Sequence, residues 1–332
     1  MTEMSPMKYS RIPHRLIFSA IAFLTCFFVA CNTSPQQPLK IGLTSWTGYE
    51  PLYLARDLGY FNDAPLEIIE YSGIAEMRRA FDNGEIHVLS STLDSALLRA
   101  ERNNDLRLWL LLDTSNGGDA LVGQSEVKSI QDLKDRTVGL TPEALSLLVF
   151  TRALQSVDLP LDAVKQVSLD GIEPETAFED KEIDAIITYD PLLSKLLQQG
   201  ANLLFDTRQM PGEVVDVLLS YQETQDKFPQ KLQTLAEGWF KALQYIQKNP
   251  DDAVQRMADR QGISQEEFTQ SLKGLRLMDL EKNKVLLSGQ DMELHEGAKR
   301  LTTFLIEQES LKQKVDLDNL FDDRFVKVIE QS

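Results

Sequence analysis

Three junctions between a predicted strand and a predicted helix carry polar residues that could bind a small molecule. They are Ser91–Thr92, Thr141–Pro142 and Asp190–Pro191, and each pair is predicted to cap the helix that follows it. The first turn of a helix has free backbone N–H groups and the positive end of the helix dipole, which together favour an anion. A nitrate, sulfonate or carboxylate group would suit these positions.

Acidic residues occupy the same turns. Asp94, Glu143 and Asp190 lie within or beside these first turns, and Asp119 ends a polar segment. Asp and Glu are also common there because they stabilise the helix, so these positions do not by themselves require a ligand. An acid that faced a ligand would repel a bare anion and pair with an amine.

The basic residues do not mark an anion site. We expect Arg78 and Arg79 to lie well inside a helix, on its solvated side, so the sequence shows no arginine clamp. A zwitterion or an organic cation is therefore favoured over a bare anion. Trp46 and Tyr49 agree with this preference, because an aromatic face can hold an ammonium group or stack on a ring. Packing against the first helix is the alternative for both side chains.

These two aromatic residues belong to the stretch 39–61, which reads as a strand at 39–43, a polar loop at 44–49 and a helix opened by Pro51. Open α/β sheets bind ligands beyond the carboxyl ends of their strands, where such a loop would lie. The rest of the chain determines whether this loop faces a cleft.

Catalytic chemistry has few candidates after residue 38. His87 lies in the middle of a predicted strand and His295 in a charged helical segment, neither at a triad or metal-ligand spacing. The chain contains no phosphate-loop or dinucleotide glycine pattern. We therefore expect no catalytic residue, no metal and no cofactor.

The N-terminus has the pattern of an export signal. Lys8, Arg11 and Arg15 precede the mostly apolar segment 16–30, which is too short to span a bilayer comfortably. The segment ends in Phe-Val-Ala-Cys, which resembles the bacterial lipobox, with Phe where Leu is usual.

This resemblance implies a lipoprotein signal peptide at 1–30, lipidation of Cys31 and a polar linker at 31–38. An uncleaved anchor or plain secretion is the alternative. The other cysteine, Cys26, lies within the signal, so the exported part has neither a disulfide nor thiol chemistry.

The overall composition is acidic. A formal charge of −17 at pH 7 excludes a nucleic-acid binder and would repel anionic lipid head groups. With 42% apolar residues in a chain of 332, substantial cores can form, and two domains are favoured over one.

Strands and helices alternate from 39 to 112, stop in the polar segment 113–119, and alternate again from 137 to 205. This alternation predicts parallel, right-handed α/β sheets. A predicted strand at 214–220 then leads to a last third that is mostly helical.

We therefore predict an α/β fold in which two lobes, joined by two crossings, enclose a ligand cleft. Lobe 1 is discontinuous and comprises 39–113 and 215–332, and lobe 2 comprises 117–211. A single sheet with a helical appendage is the alternative.

Four motifs follow one another along the chain. They are Trp46-x-Gly48-Tyr49-x-Pro51-Leu52-x-Leu54-Ala55 with Gly59-x-Phe61, Gly84-Glu85-Ile86-His87-Val88, Ser115-Asn116-Gly117-Gly118-Asp119-Ala120, and Lys181-Glu182-Ile183-Asp184-Ala185-Ile186 with Tyr189-Asp190-Pro191. In this order they resemble the solute-binding proteins of ABC importers for nitrate, sulfonate, taurine and thiamine precursors. The resemblance covers roughly residues 39–250. It implies a type II periplasmic-binding fold whose ligand is closed between the lobes and delivered to a membrane permease and its ATPase.

On this reading the protein is a monomeric, lipid-anchored receptor for a small solute at the cell envelope. The predicted ligand-binding residues are Trp46, Tyr49, Ser91, Thr92, Asp94, Asn116, Asp119, Thr141, Glu143 and Asp190.

Two other functions stay open. A ligand sensor could dock on a membrane receptor instead of a transporter, and a periplasmic enzyme could use the same fold. The superfamily includes enzymes that make the thiamine pyrimidine with a cysteine-rich motif, but no cysteine follows Cys31. We therefore expect a binding protein and not an enzyme.

Overall fold

A computed structural model describes Met1, residues 37–169 and residues 174–330. The predicted signal peptide (apart from Met1), the lipidation site Cys31 and most of the linker at 31–38 lie outside these residues.

Two β-sheets organise the described residues from Pro38 onward, which pack as one unit. The strands are β1 (Leu39–Thr44), β2 (Leu66–Tyr71), β3 (Val88–Thr92), β4 (Leu106–Ser115), β5 (Asp119–Gly123), β6 (Thr137–Leu140), β7 (Lys165–Ser168), β8 (Ala185–Tyr189), β9 (Asn202–Asp206), β10 (Val215–Tyr221) and β11 (Leu275–Leu277). The first sheet has the order β11-β4-β10-β3-β1-β2, and the second β7-β6-β8-β5-β9.

Both sheets are mixed. β1 pairs in parallel with β2 and β3, and β6 with β7 and β8, but β10 and β5 run antiparallel to both of their neighbours. The predicted parallel arrangement is therefore confirmed for the strands that alternate with helices, but it does not extend to β5 and β10. These are the strands with which the chain enters one sheet from the other, so no crossover helix sets their direction.

Helices cover the sheets and form most of the last third. They are α1 (Glu50–Asp57), α2 (Ile74–Asp82), α3 (Leu93–Ala100), α4 (Ala144–Gln155), α5 (Pro174–Glu179), α6 (Leu192–Gln198), α7 (Gln222–Lys227), α8 (Pro229–Lys248), α9 (Pro250–Gln261), α10 (Gln265–Lys273), α11 (Leu280–Leu287), α12 (Glu293–Glu307) and α13 (Leu317–Leu320). Within the described ranges, no helix is both long and apolar enough to cross a bilayer.

The two passages between the sheets lie side by side. The first is Asn116–Gly118, shorter than predicted because 113–115 still belong to β4, and the second is 207–214. The hydroxyls of Ser115 and Thr207 are 2.7 Å apart, and the Gly117 N–H donates to Thr207 Oγ1 at 2.8 Å. The proposed lobe boundaries stay a prediction.

One predicted helix cap is confirmed by its position and another is wrong. Thr92 ends β3 and occupies the N-cap position of α3, although its side chain makes no capping hydrogen bond. Thr141 does not cap α4, because Glu143 takes the cap position of that helix. The Thr141 N–H instead donates to Ser146 Oγ at 3.2 Å. Asp190 does act on its helix, since its carboxylate accepts from the Ser194 N–H at 2.9 Å.

A buried ion pair holds the start of α1. The guanidinium of Arg260, from α9, donates to both carboxylate oxygens of the fully buried Glu50 and lies 3.7 Å from the ring centre of Tyr53. It also bonds Glu70 on β2 at 3.1 Å. Burial raises the pKa of Glu50, and Arg260 opposes that rise. Because Glu50 directly follows the aromatic loop, this pair anchors one end of the loop.

Replacing Arg260 by Met should lower the free energy of unfolding by about 3 kcal/mol, because it leaves a buried carboxylate without its cation. Arg256→Met on the same helix is the matched control, since Arg256 pairs with Asp252 in the solvent and should contribute nothing measurable. Urea denaturation followed by tryptophan fluorescence measures both variants. Equal losses would contradict the anchoring role of Glu50–Arg260.

Candidate ligand-binding site

A cavity of about 100 Å³ lies between the two sheets. Its lining from the first sheet and adjoining segments comprises Thr44, Ser45, Trp46, Tyr49, Ile74, Met77, Arg78, Ser90, Ser91, Thr92 and Asp216. Its lining from the second sheet and adjoining segments comprises Asp119, Thr141, Glu143, Leu145, Ser146, Ile187 and Tyr189. Since one water needs at least about 10 Å³ of such volume, the cavity has room for a small molecule.

Most of the predicted ligand-binding residues meet in this cavity. Those that line it are Trp46, Tyr49, Ser91, Thr92, Asp119, Thr141 and Glu143. Contact of these residues with a ligand stays a prediction.

Three predicted residues lie elsewhere. Asp94 is buried behind the cavity wall, because the phase of α3 turns it into the protein. Asp190 turns toward the first turn of α6, where its carboxylate accepts the Ser194 N–H. Asn116 lines a separate depression of about 60 Å³ beside the passage between the sheets, together with Arg276.

Arg78 lines the cavity, so the expectation that it lies on a solvated helix face is wrong. It is four residues after Ile74, which also lines the cavity, and α2 presents both side chains to the same space. Its guanidinium donates to Ser95 Oγ at 2.8 Å, and the Ser95 hydroxyl lies 3.5 Å from the carboxylate of Asp94. Burial lowers the pKa of Arg78, while Asp94 and then Glu143 oppose that change.

The two aromatic residues of the first loop are held by buried acids. The Trp46 indole N–H donates to Asp113 Oδ2 at 3.3 Å, and the Tyr49 hydroxyl donates to Asp216 Oδ1 at 2.5 Å. Gly48 lies between them, and a Cβ there would collide with the carboxylate of Asp113 and the indole of Trp46. Only glycine permits this close approach.

An aromatic contact joins the two sides of the cavity. The rings of Trp46 and Tyr189 meet edge to face, with centroids 5.6 Å apart and planes at 81°. Tyr189 is 44% exposed, whereas Trp46 is buried, so Tyr189 forms the more accessible wall.

The acids around the cavity are protonated more readily than usual. Burial raises the pKa of Asp113 to about 8 and that of Asp119 to about 6. Burial, and next the proximity of Asp113, also raises the pKa of Asp216 well above its ordinary value. Asp113 and Asp216 are paired residues on β4 and β10, so ionisation of one carboxyl disfavours ionisation of the other. Asp113 Oδ1 has no hydrogen-bond partner within the described part of the chain.

Sequence reasoning missed eleven of the residues that line the cavity, among them Arg78, Met77, Tyr189 and Asp216. Two of them carried a signal: Tyr189 ends a strand next to Asp190–Pro191, and Asp216 is a carboxylate in the middle of an apolar strand. No group of three or more His, Cys, Asp or Glu residues that could hold a metal occurs in the described ranges.

These raised pKa values predict that the protein is more stable in mild acid. Native Asp113 retains its proton up to about pH 8, whereas in the unfolded chain it loses it near pH 4. The native state therefore binds more protons than the unfolded state in this window, and its stability falls as pH rises. The free energy of unfolding should drop by about 4 kcal/mol from about pH 5 to pH 8.

Asp113→Asn should make this dependence shallower, because the amide mimics the protonated carboxyl. The exposed Asp63→Asn variant should keep the slope of the parent protein. Urea denaturation across the pH range measures the slopes, and an unchanged slope in Asp113→Asn would contradict burial of an ionisable Asp113.

The two sheets and the cavity between them define the class: this is a mixed α/β protein of the periplasmic-binding-protein fold. The ligand-binding component of an ABC-type import system from Staphylococcus aureus superposes with a TM-score of 0.74 at 17% identity, covering 90% of this chain and 100% of that one. The alkanesulfonate-binding protein from Xanthomonas axonopodis pv. citri, bound to MOPS, gives 0.72 at 15% identity, covering 87% and 99%.

The sequence comparison identifies the family. Residues 46–253 match the NMT1/THI5-like family, and the chain belongs to it. A protein of Brucella abortus (strain 2308) named "putative binding protein" is 22% identical over 253 residues, which cover 73% of this chain and 70% of that protein.

The fold is not confined to binding proteins. The desulfurization enzyme DSZB superposes with a TM-score of 0.64 at 16% identity, covering 88% of this chain and 98% of that one. The fold alone therefore does not separate a receptor from an enzyme.

Proposed function

We propose that this protein is the extracytoplasmic solute-binding receptor of an ABC importer. The observation that carries the proposal is the cavity between the two sheets, lined from both by aromatic and charged side chains. Family membership and the importer components among its structural neighbours support the same function.

The mechanism is capture followed by closure. A small polar solute enters between the sheets, and the passages at 116–118 and 207–214 act as hinges for lobes 39–113 plus 215–332 and 117–211. The closed form docks on the permease, whose ATPase drives release. The signal at 1–30 and lipidation at Cys31 would tether a monomer to the envelope membrane.

The solute is a sulfonate or taurine-like zwitterion, an organic amine or a pyrimidine-like ring. The lining residues include hydroxyls, one guanidinium, carboxyls and three aromatic rings, and each of these solutes can use several of them.

A thermal-shift screen of the purified protein against sulfonates, nitrate, amino acids, polyamines and pyrimidines tests the proposal. A ligand at one hundred times its dissociation constant should add about 2.7 kcal/mol to the free energy of unfolding, and the melting temperature should rise. If no compound in these classes raises it, the receptor proposal loses its support.

Tyr189→Ala tests whether the cavity is the binding site. Because Tyr189 is half-exposed, the fold should persist, while loss of one aromatic wall should weaken binding of the solute found in the screen by about tenfold. Leu203→Ala, an exposed residue of the same sheet outside the cavity, is the control. Isothermal titration calorimetry measures the affinity of both variants for the solute. Equal affinities of Tyr189→Ala and Leu203→Ala would mean that the solute binds outside this cavity.

The solute found in the screen also distinguishes the receptor from the two alternatives, an enzyme and a sensor. An enzyme would convert the bound solute to a product during incubation, although the described residues that line the cavity include no histidine or cysteine. A sensor would bind the solute without turnover, and its gene would lack a neighbouring permease and ATPase.

A further inference from the structure

Acidic side chains outnumber basic ones in the lining of the cavity. Its ionisable side chains, apart from the tyrosines, are the carboxyls of Asp119, Glu143 and Asp216 and the guanidinium of Arg78. None of these carboxyls makes an ion pair with another described residue. Carboxyl groups are therefore more available than cationic groups to pair with a ligand in this cavity.

Arg78 is already engaged. It donates to Ser95, and the acids nearest to it are Asp94 behind the wall and Glu143 on the opposite side of the cavity. An anion that approached Arg78 would also approach these two acids. The guanidinium therefore balances the charge of the wall more than it recruits an anion.

Asp119 is the carboxyl best placed to meet a ligand. It is the first residue of β5, only 5% exposed, and opens onto the cavity. Ser115 Oγ, which accepts the Asp119 backbone N–H at 3.1 Å, fixes the position of the residue. Burial penalises the ionised carboxyl and raises the pKa of Asp119 to about 6, and a ligand cation would offset that penalty.

The remaining walls suit the body of such a ligand. Trp46, Tyr49 and Tyr189 supply aromatic surface, and Met77 and Ile187 supply apolar surface. Aromatic faces attract an ammonium group, and apolar walls bury a hydrocarbon body.

We propose that the ligand is a protonated amine with a small apolar body, whose ammonium group pairs with Asp119 beside the aromatic walls. This inference rests on the proposed receptor function and narrows its ligand class. It makes Asp119 the residue that selects a cation over an anion.

Two series of probe compounds test this charge preference. Within each series the compounds share one hydrocarbon group and differ in carrying an amine, an alcohol or an acid. They are 2-phenylethylamine, 2-phenylethanol and phenylacetate, and butylamine, butanol and butyrate, titrated calorimetrically into the protein near pH 7.5, where the amines and acids are charged. In at least one series the amine should bind about tenfold or more tightly than the alcohol, and the acid most weakly.

Two variants, Asp119→Asn and Arg78→Gln, test which residues set the preference for the amine. Asp119→Asn should weaken amine binding about tenfold and leave alcohol binding within about twofold, a split that a merely structural role would not produce. The exposed Asp180→Asn variant, in the same half of the molecule, should change neither affinity. Arg78→Gln should leave amine binding equal or tighter, whereas at an anion site it would weaken binding by about tenfold or more.

The outcomes separate the ligand class from the receptor function. Tighter binding of an acid than of its amine, or loss of binding in Arg78→Gln, overturns the amine assignment and leaves a solute receptor. Absence of binding by every amine overturns it as well. The receptor function itself depends on the wider solute screen, which includes anions and neutral rings.

Discussion

Two hydrogen bonds to buried carboxyls hold the aromatic wall on which the cavity depends. Trp46 donates to Asp113 and Tyr49 to Asp216, so the loop after β1 is positioned by the centre of the first sheet. Both carboxyls are buried where water cannot solvate them. A buried carboxyl lowers the stability of the fold unless it is protonated or hydrogen-bonded. The close pass of Gly48 over Asp113 shows how little room this arrangement leaves.

The same two acids connect the wall to the passages between the sheets. Asp113 is near the end of β4, which leads into the first passage, and Asp216 is near the start of β10, which follows the second. Thr207 and Ser115 join the passages a few residues away. A rotation of one sheet about these passages would therefore begin beside the carboxyls that hold Trp46 and Tyr49. The proposed ligand wall and the proposed hinge therefore share one structural support.

Local pattern explains what the sequence could predict. β1 was predicted at 39–43 and is observed at Leu39–Thr44, because its apolar residues and the polar loop that follows are local features. Trp46, Asp119 and Glu143 were found because strand ends gather at a sheet edge. Arg78 was missed because the rotation of α2 about its axis is set by packing of Met77 and Phe81 against the sheet, and a charged residue at the margin of that face can turn either way. Asp113 was missed because its partner, Trp46, is 67 residues distant in sequence.

The solved structures of similar fold do not determine the charge of this cavity. At 15% identity the alkanesulfonate-binding protein shares the backbone of the fold, while the side chains that face the ligand are free to differ. In this chain the start of α3 lies at the cavity, and a helix N-terminus contributes roughly half a positive charge. Asp119 and Glu143 each bring a full negative charge when ionised, in a site partly removed from water where charges interact more strongly. The carboxyls therefore outweigh the helix dipole, and the proposed preference for a cation rests on the side chains and not on the fold.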